Sequence, residues 1–405
     1  MARPSTVAHD VHRAVTRRVF GALGPLGLPV RVIHDSVSRA SYAAVSGAIR
    51  APFAAGGHAM ARRVSESSAS LAESRAGALA LGAANGLFGD RLDRHHPELA
   101  VRLGFWQGGR EVRLDETGVD EAFATATPRL AVFVHGLCDT EDGWRSPYPG
   151  GAPRPTYGER LSAELGITPV YVRYNTGLHV SNNGRALAAR LDELVSAWPT
   201  DVENIALIGH SMGGLVARSA CHYAELEDRG YTSKISHVIC LGTPHLGAPL
   251  EKAANVASWP LTRLPETRPF ADLFITGRSA GIKDLRFGSC LEEDWCDCDP
   301  DEFLRDRCCE CPFLESATYC FVAATLSADP SGAGGLVGDL LVTYRSASGE
   351  GRRRRIPFTA EHGSHVPRAD HLRLLNHPAV YERIRDWLAQ DSLRRLPPPP
   401  HDARV

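Results

Sequence analysis

The sequence predicts an α/β fold in which a mostly parallel, twisted sheet is covered by helices on both faces. The first observation is a series of short apolar runs of strand type, at residues 130–134, 170–174, 205–208, 238–241, 319–323 and 356–359. The second is that amphipathic helical stretches lie between these runs, such as NNGRALAARLDELVSAW at residues 182–198. The third is a hairpin pattern ahead of the first run, VRLGFWQGGREVRL, which turns at Gly108 and Gly109.

The composition is that of a soluble globular protein. The chain has 405 residues, of which 43% are hydrophobic and 23% are charged. This is enough for one large domain with an appendage, or for two modest domains. The formal net charge of −2 gives no electrostatic reason to expect nucleic acid or an anionic membrane as a partner. No apolar run reaches the roughly 18 residues of a membrane-spanning helix, and the first residues lack a signal-peptide pattern. We therefore expect a cytoplasmic protein.

Four segments are distinguished along the chain. Residues 1–98 are rich in Ala, Gly, Ser and Arg and predict a helical N-terminal extension. Its apolar face at residues 32–49 could join a partner or lie on a lipid surface, although docking on the main domain is favoured. Residues 99–391 form the predicted α/β domain. Within it, residues 248–318 hold no clear strand and are interpreted as a lid or cap insertion. The proline-rich residues 392–405 predict a disordered tail.

The pentapeptide GHSMG at residues 209–213 lies where an apolar strand turns into a helix. A serine in a G-x-S-x-G turn is held in a strained backbone conformation that exposes its hydroxyl. Small residues on either side of it let strand and helix approach closely. The five-residue pattern alone is weak evidence, because serine and glycine are common. The strand before it and the helix after it make Ser211 the candidate nucleophile.

A serine hydroxyl is a useful nucleophile only when a base removes its proton and a third group orients that base. His371 is the candidate base, because it follows the last strand-like run and precedes a helix predicted near Pro378. Asp339 is the candidate acid, because it lies in a glycine-flanked loop after the run at residues 319–323. The resulting chain order is the one that serine enzymes of this fold class use. The alternatives are His362, His365 and His377 for the base, and Asp329, Asp370 and Glu361 for the acid.

The sequence also offers two backbone donors for the negative oxygen of a tetrahedral intermediate. The stretch VFVHGL ends the first core strand at His135 and Gly136. There the backbone N–H of Leu137 could pair with that of Met212, the residue after the nucleophile. His135 and His210 flank the two turns and are interpreted as packing or supporting residues.

Five stretches between residues 130 and 388 carry a family resemblance, in the order VFVHGL, LIGHSMGGLVAR, LGTPHLGAP, GDLLV…SA and DHLRLLNHPAVY. With them the chain resembles α/β-hydrolases of the bacterial lipase and esterase group, near the GPI inositol-deacylase-like serine lipases. The resemblance implies an α/β-hydrolase fold, the nucleophile Ser211, the acid Asp339, the base His371, and oxyanion donors at Leu137 and Met212. One departure is Leu340, where many relatives carry glycine. The N-terminal extension and the insertion lie outside the resemblance.

The expected activity is hydrolysis of carboxylic esters through a Ser-His-Asp triad and an acyl-enzyme intermediate. The insertion holds apolar side chains that could line an acyl pocket, which favours a lipid or another hydrophobic ester, or that could simply pack the insertion. These are Trp259, Leu261, Leu264, Phe270, Leu273, Phe274 and Ile275. Two alternatives stay open, namely an acyltransferase with the same triad, and a lipid- or membrane-binding protein with a vestigial site. Residues 1–95 could then associate with the surface of a membrane or lipid particle.

Seven of the ten cysteines lie in the range from Cys290 to Cys320. Free thiols are the favoured interpretation of this cluster. A zinc site would need four thiolates in tetrahedral geometry, and the spacing matches no standard C-x₂-C pair. Disulfides would need an oxidising compartment. No other cofactor is expected, because the predicted triad chemistry needs none.

Overall fold

The computed structural model describes residues 73–97, 99–145, 154–249, 251–252, 278–297, 299, 305–352 and 354–394. Most of the predicted N-terminal extension lies outside these ranges. So do the apolar residues of the insertion named above, Cys298, and the predicted tail beyond residue 394.

An eight-stranded sheet organises the described part of the chain. In chain order the strands are β1 (Gly104–Gln107), β2 (Arg110–Glu111), β3 (Arg129–Val134), β4 (Thr168–Arg173), β5 (Asn204–His210), β6 (Ile235–Leu241), β7 (Thr318–Thr325) and β8 (Gly363–Pro367). Their order across the sheet is β2-β1-β4-β3-β5-β6-β7-β8. The hairpin strand β1 pairs antiparallel with β2 and β4, whereas the ladders from β4 to β8 are parallel. Parallel neighbours need crossover connections, and helices supply them.

Helices lie between and after these strands. In the described ranges they are α1 (Arg75–His95), α2 (Glu116–Ala122), α3 (Tyr157–Leu165), α4 (Val180–Ser196), α5 (Met212–Leu226), α6 (Ala280–Asp284), α7 (Gly332–Val337), α8 (Tyr344–Ala347) and α9 (Pro378–Arg394). Helix α3 shows how the sequence sets such bounds. Thr156 and Glu159 form a reciprocal capping box at its start, and Gly166 ends it in the left-handed conformation. Within the described ranges, every helix is too short or too polar to cross a membrane.

Alternate residues of the central strands enter two separate cores, one on each face of the sheet. On β3, Val132 lies in the same apolar cluster as Leu187 of α4. The neighbouring Phe133 lies in the other cluster, with Leu161 of α3. Burial on both faces explains why these strands read as unbroken apolar runs in the sequence. All seven residues of β5, for example, are buried.

The predicted fold class is confirmed, with one strand placed wrongly. The first five apolar runs coincide with strands β3 to β7, and the hairpin turns at Gly108 and Gly109, both with positive φ. The prediction of a last strand at residues 356–359 is wrong, because the last strand is β8. Ile356 is buried, and the Phe358 ring packs 5.1 Å from the ring of Phe321. This segment is apolar because it packs against the sheet, not because it pairs with it.

Helix α1, which falls in the predicted N-terminal extension, packs against the α/β core. The side-chain amide of Asn85 donates to the carbonyl of Leu99, and its oxygen accepts from the N–H of Val101 at 2.9 Å. A second link joins α1 to the region before α6, where the Ser279 hydroxyl donates to the carbonyl of Gly86 at 2.6 Å. These bonds fix the helix on the side of the sheet where β3 and β4 end.

Helix α5 comes very close to β3 at Gly213. A Cβ atom at this position would lie 2.2 Å from the carbonyl oxygen of Val134, and backbone cannot move aside as a side chain can. We predict that Gly213→Ala lowers the free energy of unfolding by about 1–3 kcal/mol, the usual cost of overpacking. Chemical denaturation at equilibrium measures this loss.

Gly230 provides the matched control. No heavy atom would lie within 4 Å of a Cβ atom at Gly230, so Gly230→Ala should leave the free energy of unfolding within about 1 kcal/mol of the wild type. If both variants unfolded at the wild-type denaturant concentration, the close approach of α5 to β3 would be wrong.

Candidate active site

Ser211 occupies a strained turn between β5 and α5. Its backbone has φ 54° and ψ −122°, a region that residues with a side chain rarely adopt. The flanking glycines allow this turn, since a Cβ atom at Gly209 would lie 2.4 Å from the backbone nitrogen of Gly214. The N–H of Ser211 donates to the carbonyl of Leu241 at 2.8 Å, which ties the turn to the end of β6. This is the backbone geometry that the G-x-S-x-G pattern predicts.

The predicted base and acid lie in contact with each other. Nδ1 of His371 is 2.7 Å from Oδ2 of Asp339, and both side chains are buried. The other carboxylate oxygen accepts from the N–H groups of Leu341 and Val342 at 3.0 and 2.8 Å. Because a carboxylate can only accept, Nδ1 of His371 donates, which leaves Nε2 as the nitrogen able to take up a proton.

The backbone of His371 is held from two sides. Its N–H donates to the carbonyl of Asp339 at 3.1 Å, and its own carbonyl accepts from Nε2 of His210 at 3.1 Å. The imidazole borders Gly242, where a Cβ atom would lie 3.1 Å from Cε1 of His371. Nε2 of His371 is buried and has no hydrogen-bond partner among the described residues. An orphaned buried nitrogen next to the serine turn is available for a reacting group.

Four of the alternative bases and acids are engaged elsewhere. His365 bonds the hydroxyl of Thr325, and His362 bonds that of Thr359, both at 2.8 Å. Asp370 caps the turn that carries His371, by accepting from two backbone N–H groups. The carboxylate of Asp329 accepts from the backbone N–H and from the hydroxyl of Ser331. Among the described residues, Asp339 is thus the carboxylate that contacts the His371 ring.

His210, interpreted from the sequence as a packing or supporting residue, links the serine turn to His371. Burial lowers its pKa well below the usual value for histidine, so the ring is neutral at physiological pH. The neutral ring must carry its proton on Nε2 to donate to the carbonyl of His371. His210 therefore fixes the backbone of His371, a role that no local sequence pattern reveals.

The loop after β3 passes directly beside the serine turn. A Cβ atom at Gly136 would lie 3.1 Å from Cβ of Ser211. Leu137 follows in this loop, beyond the last parallel pair between Val134 and Gly209. Met212 is the first residue of α5, and the first N–H groups of a helix have no partner within the helix. Both predicted oxyanion donors therefore lie on segments that border Ser211.

His135 supports this loop as a neutral ring. Burial lowers its pKa to about 3, and its ring stacks on Tyr174 with centroids 4.4 Å apart. Its Nδ1 lies 2.9 Å from the carbonyl oxygen of Gly136, and the Tyr174 hydroxyl donates to the carbonyl of His135 at 2.8 Å. The peptide groups ahead of Leu137 are thus held by buried hydrogen bonds.

Five of the nine described cysteines lie in the predicted insertion, whereas Cys138 lies in the loop after β3, and none of the nine forms a disulfide with another described cysteine. Arg218 of α5 is buried and fastens the insertion to the core, through Nδ1 of His245 at 3.2 Å and the carbonyl of Cys311 at 3.1 Å. In the part of the chain that the structure describes, no three His, Cys, Asp or Glu side chains are placed to hold a metal ion. Cys298 lies outside that part.

Leu340, the departure from the family pattern, has a backbone that suits glycine. Its φ is +88°, and a left-handed backbone costs an ordinary residue about 1–2 kcal/mol. The turn is tight because both following N–H groups bond to Asp339. Glycine would adopt this turn without strain, whereas Leu340 adopts it with strain.

We predict that Leu340→Gly raises the free energy of unfolding by up to about 1 kcal/mol, because glycine adopts positive φ without strain. Thermal or chemical unfolding measures the gain. Leu336→Gly is the matched control, since Leu336 is also exposed but lies in helix α7, where glycine should cost about 1 kcal/mol. A loss of stability in both variants would contradict the strain at Leu340.

The carboxyl group of Asp139, in the loop after β3, should make the free energy of unfolding depend on pH. Burial raises the pKa of its carboxyl to about 6, even though the backbone N–H of Thr140 favours the charged form. A carboxyl with a raised pKa stabilises the fold while it is protonated, and this contribution is lost as the pH rises through about 6. We predict that Asp139→Asn raises the free energy of unfolding relative to wild type at pH 7 more than at pH 4. Denaturation at both pH values tests this, and an equal difference would contradict the raised pKa.

Comparisons with known proteins match one segment to a family and the larger part of the chain to solved structures. Residues 182–259 match the family described as PGAP1-like alpha/beta domain, and none of the curated proteins matches the chain. The chain is similar to the Bacillus licheniformis lipase BlEst2 in mature form, at 20% identity and a TM-score of 0.40, over 64% of this chain and 91% of that one. It is also similar to the phospholipase PlaB from Legionella pneumophila, at 17% identity and a TM-score of 0.40, over 67% and 62%.

The fold assignment rests on this chain's own geometry. Parallel strands β3 to β8 alternate with helices, and a strained serine turn joins β5 to the helix that follows it. These features confirm the fold that the sequence resemblance implies. The chain thus has the α/β-hydrolase fold, and within it residues 182–259 match the PGAP1-like alpha/beta domain.

Proposed function

We propose that the protein is a serine hydrolase that cleaves carboxylic esters through an acyl-enzyme intermediate. The observation that carries this proposal is the environment of His371. Asp339 holds Nδ1 at 2.7 Å, while Nε2 is buried without a partner beside the strained turn of Ser211. A buried imidazole with one nitrogen fixed by a carboxylate and the other free suits a general base next to a nucleophile.

In the proposed acylation step, the hydroxyl oxygen of Ser211 attacks the ester carbonyl carbon while its proton passes to Nε2 of His371. The ring becomes positively charged, and the carboxylate of Asp339 stabilises that charge and keeps the ring oriented. The carbonyl oxygen becomes negative and accepts from the N–H groups of Leu137 and Met212. The intermediate then collapses, the proton on His371 goes to the leaving alcohol, and the acyl group stays on Ser211.

Deacylation repeats these roles with water. His371 takes a proton from the water that attacks the acyl-enzyme, and returns it to the oxygen of Ser211 as the acid leaves. The same two N–H groups hold the second oxyanion. The two buried histidines in this region, His135 and His210, are uncharged at neutral pH because burial lowers their pKa values. No neighbouring imidazolium therefore opposes the charge that develops on His371.

The surface around the acid and the base favours a hydrophobic acyl ester, such as a lipid. Of nine exposed large apolar side chains in the described ranges, five lie on the segments that carry or adjoin Asp339 and His371. These are Leu326, Leu336, Val337, Leu340 and Leu372. The segments are joined by backbone hydrogen bonds, from Leu326 to Gly338 and from His371 to Asp339. Exposed apolar side chains on the segments that carry a site favour binding of an acyl chain there.

Two alternatives predict different outcomes in solution. An acyltransferase would use the same acyl-enzyme but pass the acyl group to an alcohol other than water. A lipid- or membrane-binding protein with a vestigial site would bind such molecules without turnover. We rank a catalytic role above a vestigial site, because Asp339, His371 and the turn of Ser211 form one continuous set of contacts.

We predict that the wild type hydrolyses p-nitrophenyl esters and that Ser211→Ala abolishes this turnover, because the variant has no oxygen to acylate. Asp339→Asn should lower kcat by about 10³- to 10⁴-fold, since an amide no longer stabilises the required tautomer and charge of His371. Release of p-nitrophenol across acyl lengths from acetate to palmitate gives the rates and the length preference. A strong preference for acetate would contradict the hydrophobic-substrate part of the proposal.

Ser196→Ala is the matched control, since Ser196 is exposed at the end of α4 and should leave turnover unchanged. A fluorophosphonate probe, which labels activated serines, separates the alternatives. Labelling that depends on Ser211 without ester turnover would favour another substrate, and the absence of labelling would favour a vestigial site. Transfer of the acyl group to added glycerol faster than to water would favour the acyltransferase.

A further inference from the structure

We propose that Thr176 is a positioning residue for the oxyanion site, and that helix α1 supports it in this task. The inference rests on the proposed function, because it concerns the placement of the Leu137 N–H. It gives a positioning role to two parts of the chain that lie outside the sequence motifs of the family resemblance. These are the loop after β4 and a helix in the predicted N-terminal extension.

The hydroxyl oxygen of Thr176 accepts the backbone N–H of Cys138 at 3.2 Å. Cys138 directly follows Leu137, and its φ is +61°, a left-handed conformation that a residue with a side chain does not adopt without support. Thr176 is almost fully buried, at 1% exposure. Its oxygen is therefore a fixed acceptor, and water does not compete freely for the Cys138 N–H.

This bond helps to orient Leu137. The peptide group after Leu137 includes the N–H of Cys138, which Thr176 holds. The peptide group between Gly136 and Leu137 carries the proposed donor, and the loop holds its carbonyl by the N–H of Asp139 at 3.4 Å and by the His135 ring. With both flanking peptide planes held, the direction of the Leu137 N–H is set before substrate binds. Preorganised donors of this kind cost no reorganisation during the reaction.

Helix α1 packs against Cys138 and against Asn175, the residue before Thr176. A Cβ atom at Gly86 would lie 2.3 Å from Sγ and 2.9 Å from Cα of Cys138. One turn further along, a Cβ atom at Gly89 would lie 1.8 Å from Oδ1 of Asn175, the residue before Thr176. The Asn175 side chain also donates to the carbonyl of Gly89 at 3.1 Å. The helix thus contacts the loop of Leu137 and the loop of Thr176 at the same time.

Thr176 is enclosed from the other side as well. A Cβ atom at Gly281 in α6 would lie 2.1 Å from the carbonyl oxygen of Thr176. The N–H of Gly281 donates to the carbonyl of Gly177 at 3.1 Å. Asn183 of α4 donates to the carbonyl of Asn175 at 2.9 Å. With α1, α4 and α6 around it, this loop has little freedom to move its hydroxyl away from Cys138.

We predict that Thr176→Val lowers kcat for a p-nitrophenyl ester by about 10- to 100-fold, somewhat less than the loss of an oxyanion donor itself. The change replaces the hydroxyl with a methyl group of similar size. KM should stay within about twofold, because the interaction matters mainly when the oxyanion forms. The inhibition constant of a trifluoromethyl ketone, which forms an oxyanion adduct with serine, should rise in proportion to the fall in kcat. Thr176→Ser keeps the acceptor oxygen and should restore kcat to within about threefold of the wild type.

A purely structural role of Thr176 would give a different pattern. In that case, Thr176→Val and Thr176→Ser would lower kcat alike, or KM would rise with no effect on the ketone, and the inference would be overturned. Gly86→Ala is a second variant for the case that Thr176→Val does not fold. Its Cβ atom would push on Cys138 and should also lower kcat at constant KM, whereas Gly230→Ala should not. Unchanged kcat in Gly86→Ala would overturn the role of α1.

Ser211→Ala separates this inference from the proposed function. If ester turnover survives in Ser211→Ala, the proposed function is wrong, and the positioning inference is wrong with it. If Ser211→Ala abolishes turnover but Thr176→Val keeps the wild-type kcat, the proposed function stands and only the positioning inference is contradicted.

Discussion

The architecture of the site depends on the close approach of helix α5 to the ends of β3 and β5. The parallel register pairs Val134 with Gly209, so the two strands end at the same level of the sheet. Gly213 lets helix α5 pack directly against the carbonyl of Val134, because a Cβ atom at this position would collide with that oxygen. The first N–H groups of α5 therefore lie next to the loop that follows β3. Two backbone segments converge on Ser211 because the sheet and the helix can touch here.

The proposed base, His371, is also held in place by a small number of hydrogen bonds. His371 is bonded through its ring and its N–H to Asp339, and through its carbonyl to His210, the residue before Ser211. The end of β5 and the loops after β7 and β8 are thereby joined through one residue. A displacement of any of these loops would move the imidazole relative to Ser211, so the stability of the loops and the proposed chemistry cannot be separated.

The fold and the candidate triad could be predicted from sequence because they follow local patterns. A strand, a G-x-S-x-G turn and a helix are read from neighbouring residues, and parallel strands bring the residues after them to one edge of the sheet. The bond between Thr176 and Cys138 spans 38 positions and leaves no such pattern. Strand β8 is also hard to predict, since an edge strand needs little apolar alternation, and only one of its five residues is buried. Long-range hydrogen bonds and edge pairing are tertiary properties that a single sequence does not encode locally.

Helix α1 has a low intrinsic helix propensity, but the glycines that lower it allow the helix to pack closely against the loops after β3 and β4. Its 21 residues include Gly77, Gly82, Gly86 and Gly89, and each glycine costs a helix about 0.5–1 kcal/mol relative to alanine. Such a helix gains most of its stability from docking rather than from propensity. Three of these glycines face the loops after β3 and β4, where larger side chains would collide. Formation of the helix and ordering of the loop that carries Leu137 are therefore coupled, because each supplies the contacts that stabilise the other.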